Sequence, residues 1–270
     1  MISRLLCSPA LQQFYAPIRK VPVVGTLVHG LVRKILPPGT RLSVTVRSGV
    51  AAGLVLSVDP RYEAWYAAGA HETHLLNALA LHVLPGEVLY DVGAHIGFIS
   101  LVAARLVGPE GKIYAFEADP ENSIRILEHV RMNALPQIEL VPKAVWSECK
   151  ILSFRRDPDS SSRNTGAVSA IASDEKGSAD IAVEAVTLDH FAVDHRPAAV
   201  VKIDVEGAEE QVLEGAEEVF GASQPTLICE IHNERAAEGV SKWLAAHGYG
   251  WNWLTQGDGF PRHLVAQAQR

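Results

Sequence analysis

Two acidic residues and two glycines stand at spacings typical of a site for an adenosine-containing cofactor. The segment Asp91-Val92-Gly93-Ala94-His95-Ile96-Gly97 follows one apolar run, and Glu117 follows the next, twenty residues after Gly97. Glycine lets the backbone turn sharply and approach a ligand, and the first N–H groups of the following helix can receive the ligand's polar groups. A carboxylate placed like Glu117 can accept both hydroxyls of a ribose. The predicted cofactor-binding residues here are Asp91, Gly93, Ala94, His95, Gly97, Glu117 and Ala118.

The spacing of the glycines distinguishes two classes of ligand. A dinucleotide site has the pattern G-x-G-x-x-G, which seats a pyrophosphate on the helix end. Here the turn has the pattern D-x-G-x-x-x-G, with Asp91 before it and one fewer glycine for close approach. A carboxylate repels a pyrophosphate but suits a cationic, ammonium-bearing ligand such as S-adenosylmethionine (SAM). The turn therefore favours SAM; a glycine needed only for packing is the simpler alternative, which the position of Glu117 disfavours.

Length and composition fit one α/β domain with an N-terminal extension. The chain has 270 residues, of which 48% are hydrophobic and 20% charged, enough to bury a sizeable core. A net charge of −7 argues against nucleic acid as a partner. Cys7, Cys149 and Cys229 are scattered and form no metal-like cluster, which fits a reducing, cytoplasmic compartment. No apolar stretch is long enough to span a bilayer. We also expect no signal peptide, because Arg4 and Pro9 break up the N-terminal apolar residues that would form its hydrophobic core.

Residues 1–68 differ in character from the rest and are interpreted as an accessory region. Residues 11–36 mix apolar and basic side chains, and prolines divide them into one or two short helices that end at Pro37-Pro38-Gly39. Such a segment can lie on a membrane surface. Because the prolines spoil a continuous apolar face, packing on the catalytic domain or on a sister subunit of a homo-oligomer is favoured.

Two further elements are predicted before the main domain. Residues 42–46 and 54–58 alternate apolar and polar side chains, which predicts a hairpin that turns near Gly49. Residues 61–84 carry apolar side chains at helical spacing and are predicted to form one helix.

From Pro85 onward, apolar runs typical of buried strands alternate with helical segments. Strands are predicted at 88–92, 112–117 and 138–141, and helices at 98–107 and 120–134. Such alternation indicates a parallel sheet that is covered on both faces.

A polar insertion interrupts this alternation at residues 153–185. It is interpreted as a loop followed by a hairpin of strands 168–172 and 181–186. A long polar insertion in a compact domain is typical of a lid, a substrate loop or a disordered segment.

The second informative stretch delivers carboxylates to the ligand-binding edge of the sheet. A buried strand ends at Asp204 and Glu206, and open α/β folds bind ligands at this carboxyl edge. The two acids fit three roles: gripping a cationic cofactor, accepting a proton from a substrate hydroxyl, or holding a divalent ion. A helix N-cap is the simpler alternative. Because Lys202 and a cationic cofactor can balance both charges, we expect no metal and an activity that survives chelation. Glu209 is interpreted as a structural residue at a helix start.

The following strand places Glu230 and His232 on one face, because they are two residues apart. Histidine is the usual general base near neutral pH, and Asp204 and Glu206 are expected one strand away. The predicted catalytic residues are His232, Asp204, Glu206 and Glu230, with Asp204 also facing the cofactor.

Four motifs, in this order, resemble the FkbM-type family of SAM-dependent methyltransferases. They are V-L-Y-D-V-G-A-H-I-G-F-I-S, Y-A-F-E-A-D-P-E-N, V-K-I-D-V-E-G-A-E-E-Q-V-L-E-G-A and C-E-I-H. The segment at residues 69–73 also resembles the family's acidic segment before the first core strand, which adds Glu72 to the predicted cofactor residues. The family commonly has Asn where this chain has His95 and Pro where it has Ala118; neither change removes a needed carboxylate.

The resemblance implies a Rossmann-like class I methyltransferase fold and O-methylation of a hydroxyl on a sugar, polyketide or other secondary metabolite. The main domain, residues 69–270, is then expected to hold a mostly parallel seven-stranded sheet. That sheet ends in an antiparallel hairpin of residues 249–254 and 263–267. The expected cofactor is SAM and the expected partner a small-molecule or glycan hydroxyl acceptor. The alternatives are a nucleotide-binding oxidoreductase, disfavoured by the glycine pattern, and a non-catalytic scaffold, which would not need the acidic and histidine residues.

Overall fold

The computed structural model of the protein describes residues 37, 39–69, 72–156, 166–169, 180–257 and 259–269. The predicted N-terminal helices of residues 11–36, residues 70 and 71 of the acidic segment, and the central part of the polar insertion lie outside these residues. The chain divides into two compact units, one up to Thr73 and the other His74–Arg270. No helix in the described ranges is both long and apolar enough to cross a membrane.

The first unit contains the predicted hairpin. Strands β1 (Leu42–Thr45) and β2 (Val55–Val58) pair antiparallel. The prediction of one helix over residues 61–84 is wrong, because a short 3₁₀ helix at Ala64–Ala68 ends at Gly69 before the α-helix begins. Gly69 has a φ of 68°, and a Cβ there would lie 2.2 Å from the carbonyl oxygen of Ser48. The close approach of these two backbones explains why a continuous helix cannot form.

The second unit is built on a seven-stranded sheet in the order β12-β13-β11-β10-β3-β4-β5. The strands in chain order are β3 (Val88–Val92), β4 (Lys112–Phe116), β5 (Ile138–Val141), β10 (Val200–Ile203), β11 (Thr226–Ile231), β12 (Tyr249–Trp253) and β13 (Arg262–Ala268). The first five are parallel where they pair, and β13 runs antiparallel to β11 and β12. This confirms the predicted sheet and its closing hairpin.

Helices connect the strands. They are α1 (Thr73–His82), α2 (Phe98–Val107), α3 (Pro120–Asn133), α4 (Leu188–Ala192), α5 (Glu209–Glu214), α6 (Glu217–Ser223) and α7 (Glu234–Ala246). Asp119 caps α3 by accepting from the backbone N–H of Glu121, and Pro120 occupies its first turn, where it breaks no helical hydrogen bond. Buried rings fill the core under the sheet: Tyr90 meets Tyr114, Phe116 and Phe191 edge to face. These contacts fix the strands whose ends carry the predicted site.

A second, four-stranded sheet forms in the region of the polar insertion. Its order is β6-β9-β7-β8, with β6 at Ala144–Val145, β7 at Lys150–Arg156, β8 at Gly166–Ser169 and β9 at Asp180–Val186. The predicted hairpin of 168–172 with 181–186 is wrong, because β8 and β9 both pair with β7 and not with each other. Leu152 and Phe154 of β7 are buried in one cluster with Trp146 and Val183, which makes β7 a central strand.

Candidate active site

The glycine turn between β3 and α2 is held in one conformation by close backbone approaches. Gly93 has a φ of 74°, and a Cβ on it would lie 1.8 Å from the carbonyl oxygen of Asp204. The N–H groups of Gly93 and Ala94 both donate to the carbonyl of Phe116, at 3.1 and 2.9 Å. Gly97 has a φ of 82° and packs against Ile126. Only glycine fits at Gly93, because any side chain would collide with the Asp204 carbonyl. The absence of a side chain lets the backbones at the ends of β3, β4 and β10 approach one another.

Asp91 is fully buried and holds this turn from below. Its carboxylate accepts from the Ser100 hydroxyl at 2.5 Å and pairs with the Lys202 ammonium at 3.1 Å. Lys202, itself 3% exposed, also donates to the carbonyl of Gly93 at 2.8 Å. Asp91 and Lys202 therefore tie β3, the turn and β10 together. A direct contact of Asp91 with a cofactor stays a prediction.

Glu117 lies at the end of β4 with both oxygens directed at backbone donors of the site. It accepts from the N–H of His95 at 2.6 Å and from that of Asp119 at 2.7 Å. Burial raises the pKa of Glu117 to about 8, against the lowering effect of these two hydrogen bonds. The Asn122 side chain is a further hydrogen-bond partner of this carboxyl group, and since each carboxylate oxygen can accept more than one hydrogen bond, the group can also receive ribose hydroxyls.

His95 has a left-handed backbone, with a φ of 53°. Asparagine and histidine are enriched among the non-glycine residues that adopt this conformation. The backbone geometry thus accounts for the family's Asn and this chain's His at the same place. Its N–H, turned toward Glu117 by this conformation, positions the carboxylate.

A second group of polar side chains surrounds His232 at the carboxyl ends of β10 and β11. The register pairs Ile203 with Cys229, so Asp204 and Glu230 follow on adjacent strands. The His232 Nε2 atom lies 3.6 Å from Asp204, 3.5 Å from Glu206 and 3.9 Å from Glu230. Its Nδ1 atom is 2.6 Å from the Oε1 atom of Glu209. All four predicted catalytic residues therefore lie together.

Burial and the charges within this group shift the pKa values of His232, Asp204 and Glu206. Burial opposes the charged form of His232, but its hydrogen bond with Glu209 and the nearby charges of Asp204 and Glu206 outweigh it and raise the pKa to about 9. Although burial alone would raise the pKa of Asp204, Lys202 and His232 hold it below its usual value. Burial raises the pKa of Glu206. At neutral pH His232 is thus an imidazolium among carboxylates.

Lys202 joins the turn to this second group. Besides Asp91 and Gly93, its ammonium lies 3.6 Å from an Asp204 oxygen. The small sheet borders both, since Ala118 and Val205 pack against the cluster of Trp146 and Phe154. The predicted cofactor turn and the predicted catalytic residues therefore form one continuous edge.

Sequence reasoning missed the roles of Ser100, Lys202 and Glu209. The sequence leads us to expect only a balancing charge at Lys202 and only a helix-start residue at Glu209. Both are almost completely buried, at 3% and 0% exposure. A charged residue within an apolar strand or a buried helix start needs a partner, and that signal would have singled out both. Glu72 belongs to the first unit, where its φ is 48°, and its contact with a cofactor stays a prediction.

Comparison with known families decides the class of the domain. The family model described as "Methyltransferase FkbM domain" matches residues 91–250, which include both motif groups of the edge. The chain belongs to the FkbM methyltransferase family. The resemblance of the four motifs is thereby confirmed, and a methyltransferase is supported over an oxidoreductase. Curated proteins give no significant match.

One solved structure of an FkbM methyltransferase shares the fold of this chain. A methyltransferase FkbM from Methylobacillus flagellatus KT superposes with a TM-score of 0.50 at 15% identity, over 67% of this chain and 43% of that one. Two others match less well. A putative rRNA methylase from Clostridium thermocellum has a TM-score of 0.48 at 11% identity, covering 72% of this chain and 93% of that one. Aeropyrum pernix fibrillarin with natively bound SAM has a TM-score of 0.44 at 15% identity, covering 71% and 74%. The first likeness shows the Rossmann-like fold, and the other two carry no argument about substrate.

Proposed function

We propose that the chain is a SAM-dependent O-methyltransferase that acts on a hydroxyl of a sugar, polyketide or other secondary metabolite in the cytoplasm. The observation that carries the proposal is the single edge on which the Gly93 turn, Glu117 and the carboxylates around His232 meet through Lys202. A scaffold would not need this arrangement of buried charges, because each costs desolvation energy.

The residues at the turn fit SAM. Gly93 admits close approach of a ligand, Glu117 offers acceptor positions for ribose hydroxyls, and the group around His232 carries excess negative charge suited to a sulfonium and an ammonium. When bound, SAM supplies an electrophilic methyl group. The protein's part is to align the acceptor oxygen with that methyl group, since alignment alone accounts for a large part of such a barrier.

Transfer forms an O–C bond and breaks the S–C bond, whose electron pair stays on sulfur. The acceptor hydroxyl must lose its proton as the O–C bond forms. Two residues compete for that proton: His232, the base expected from sequence, and a carboxylate. A pKa of about 9 leaves His232 protonated at neutral pH. We therefore assign proton acceptance to Glu206, which is partly exposed and whose pKa is raised, and orientation of the acceptor to His232.

Calorimetry on the full chain tests the cofactor. We expect SAM to bind and NADH not to bind. Glu117→Ala should weaken SAM binding by about 1–3 kcal/mol, because its hydrogen bonds to the ribose hydroxyls are lost and the partner groups are left unsatisfied. Glu110→Ala, which removes an exposed carboxylate at the opposite end of β4, is the matched control and should bind SAM normally. Equal SAM affinity in both variants would contradict the assignment of Glu117.

A further inference from the structure

We infer that Asp204, Glu230 and His232 form a binding site for a divalent cation. The inference goes beyond the proposed function, because SAM binding and methyl transfer as proposed above need no metal. It also replaces the metal-free interpretation of the sequence, which considered Asp204 and Glu206 beside Lys202 but not the donors of the neighbouring strand.

The distances among the three side chains carry the inference. One ligand atom from each residue can be chosen so that all lie within 4.8 Å of one another. The Nε2 atom of His232 is 3.6 Å from Asp204 and 3.9 Å from Glu230, too far for hydrogen bonds. Two ligands on one ion, each about 2.1 Å from it, stand roughly 3.0–3.5 Å apart. The two His232 distances thus exceed this spacing by less than an ångström, and the three side chains would have to draw together to share an ion.

The orientation of His232 is the second observation. Glu209 has no solvent exposure, and its Oε1 atom lies 2.6 Å from the Nδ1 atom of His232. A cation that binds here displaces the Nε2 proton of the imidazolium to solvent; Nδ1–H then donates to Glu209, and the lone pair of Nε2 is directed at Asp204 and Glu230. Histidine ligands of metals are held in this way, with the far nitrogen donating to a carboxylate. Glu209 therefore acts as a positioning residue, and its Oε1 atom also accepts from the backbone N–H of Gly207 at 3.0 Å, which fixes the carboxylate at the start of α5.

The excess of carboxylates over basic groups around His232 also favours a cation site. Four carboxylates converge on His232: Asp204, Glu206, Glu209 and Glu230. Lys202 offers one compensating charge, but its ammonium already serves Asp91 and the Gly93 carbonyl. The rings of His232 and His263 are the other basic groups that approach these acids in the described part of the chain. In the SAM-free chain, a divalent cation would offset part of this negative charge.

The donor set selects the kind of cation. Two carboxylate oxygens and one imidazole nitrogen suit a first-row ion such as Mn²⁺ better than the all-oxygen preference of Mg²⁺ or Ca²⁺. Three protein donors leave further coordination positions. An acceptor hydroxyl bound there would lose its proton more easily, and Glu206, outside the three donors, remains beside it to receive that proton.

Binding of Mn²⁺ to the full chain, freed of metal with EDTA and free of SAM, tests the inference directly. Electron paramagnetic resonance should show one bound Mn²⁺ per chain, and spin-echo modulation should show a nitrogen ligand. Asp204→Asn and Glu230→Gln should each weaken the binding at least tenfold, and His232→Gln should abolish the nitrogen signal. Glu234→Gln, which neutralises an exposed carboxylate at the start of α7, is the matched control and should bind Mn²⁺ normally.

The outcomes separate this inference from the proposed function. Absence of Mn²⁺ binding at millimolar concentration by the wild-type chain would overturn the cation site, and calorimetry with SAM in EDTA would still test the cofactor independently. Mn²⁺ binding without a nitrogen ligand would also overturn the assignment. This measurement uses the wild-type chain, so its result does not depend on whether a variant folds. A bound Mn²⁺ with a nitrogen ligand, together with methyl transfer that EDTA stops and Mn²⁺ restores, would support it.

Discussion

At the scale of single residues, the proposed binding role of Glu117 comes with a cost in stability to the ligand-free protein. Its pKa rises from 4.5 to about 8 in the folded chain, mainly through burial. The folded state therefore holds a proton that the unfolded state releases above about pH 4.5. Stability should fall as pH rises from about 4.5 to 8, by at most about 1.4 kcal/mol per pH unit.

Denaturant unfolding of Glu117→Gln measures this contribution. The neutral amide keeps the shape but cannot ionise, so its stability should depend less on pH across that window than the stability of the wild type. Glu110→Gln should retain the wild-type slope. Parallel slopes for all three proteins would show that Glu117 titrates normally in the folded chain.

His232 also makes stability depend on pH, but here it is the charged form that stabilises the folded state. Its pKa is raised from 6.5 to about 9, so its charged form stabilises the metal-free folded state fully below about pH 6.5, and this contribution is lost as pH rises through about 9. His232→Gln in EDTA should therefore lose stability at pH 6 and differ little from the wild type at pH 10. A difference that stays constant from pH 6 to pH 10 would argue against the raised pKa.

Turnover separates the two candidate bases. His232→Ala should lower kcat strongly while SAM affinity stays intact, because we assign the ring to orientation of the acceptor and not to binding of SAM. If Glu206 accepts the proton, the rising limb of the wild-type pH–rate profile lies well below pH 9. A limb near pH 9 would restore His232 as the base, and near-normal turnover of His232→Ala would remove the ring from the mechanism.

At the scale of elements, the crossing of the β3–α2 turn with the end of β10 makes Gly93 irreplaceable. Gly93→Ala would place a Cβ 1.8 Å from the carbonyl oxygen of Asp204, so we expect a loss of several kcal/mol of stability or of SAM binding. Gly86→Ala is the matched control: its φ of 82° imposes the same strain, but no atom lies within 4 Å of its Cβ. Equal effects in both variants, measured by thermal unfolding and calorimetry, would show that φ alone matters.

The same elements show what the sequence determines. The boundaries of β3 and α2 follow from local patterns: an apolar run, two glycines at positive φ and a helix that begins at Phe98. The pairing of β8 and β9 with β7 does not, because it depends on the burial of Leu152 and Phe154 against residues distant in the chain. Lys202 and Glu209 were missed for the same reason: their partners, Asp91 and His232, are distant in the sequence.

At the scale of the whole molecule, charge predicts which partners are excluded. The net charge is −7, and the edge that we propose as the active site is rich in carboxylates. Phosphate groups of a nucleic acid would meet repulsion at this edge. We expect no RNA binding in a mobility-shift assay at low salt; binding that weakens steeply with added salt would contradict this expectation.

Lys202 couples the glycine turn to the group of side chains around His232. One ammonium is shared by Asp91 beneath the turn and by Asp204 beside His232, so a change of charge around Asp204 alters the hold of Lys202 on the turn. Thermodynamic linkage makes such an effect reciprocal. If Mn²⁺ changes the affinity for SAM by some factor, SAM must change the affinity for Mn²⁺ by the same factor. Replacing Lys202 by methionine should bring that factor closer to one.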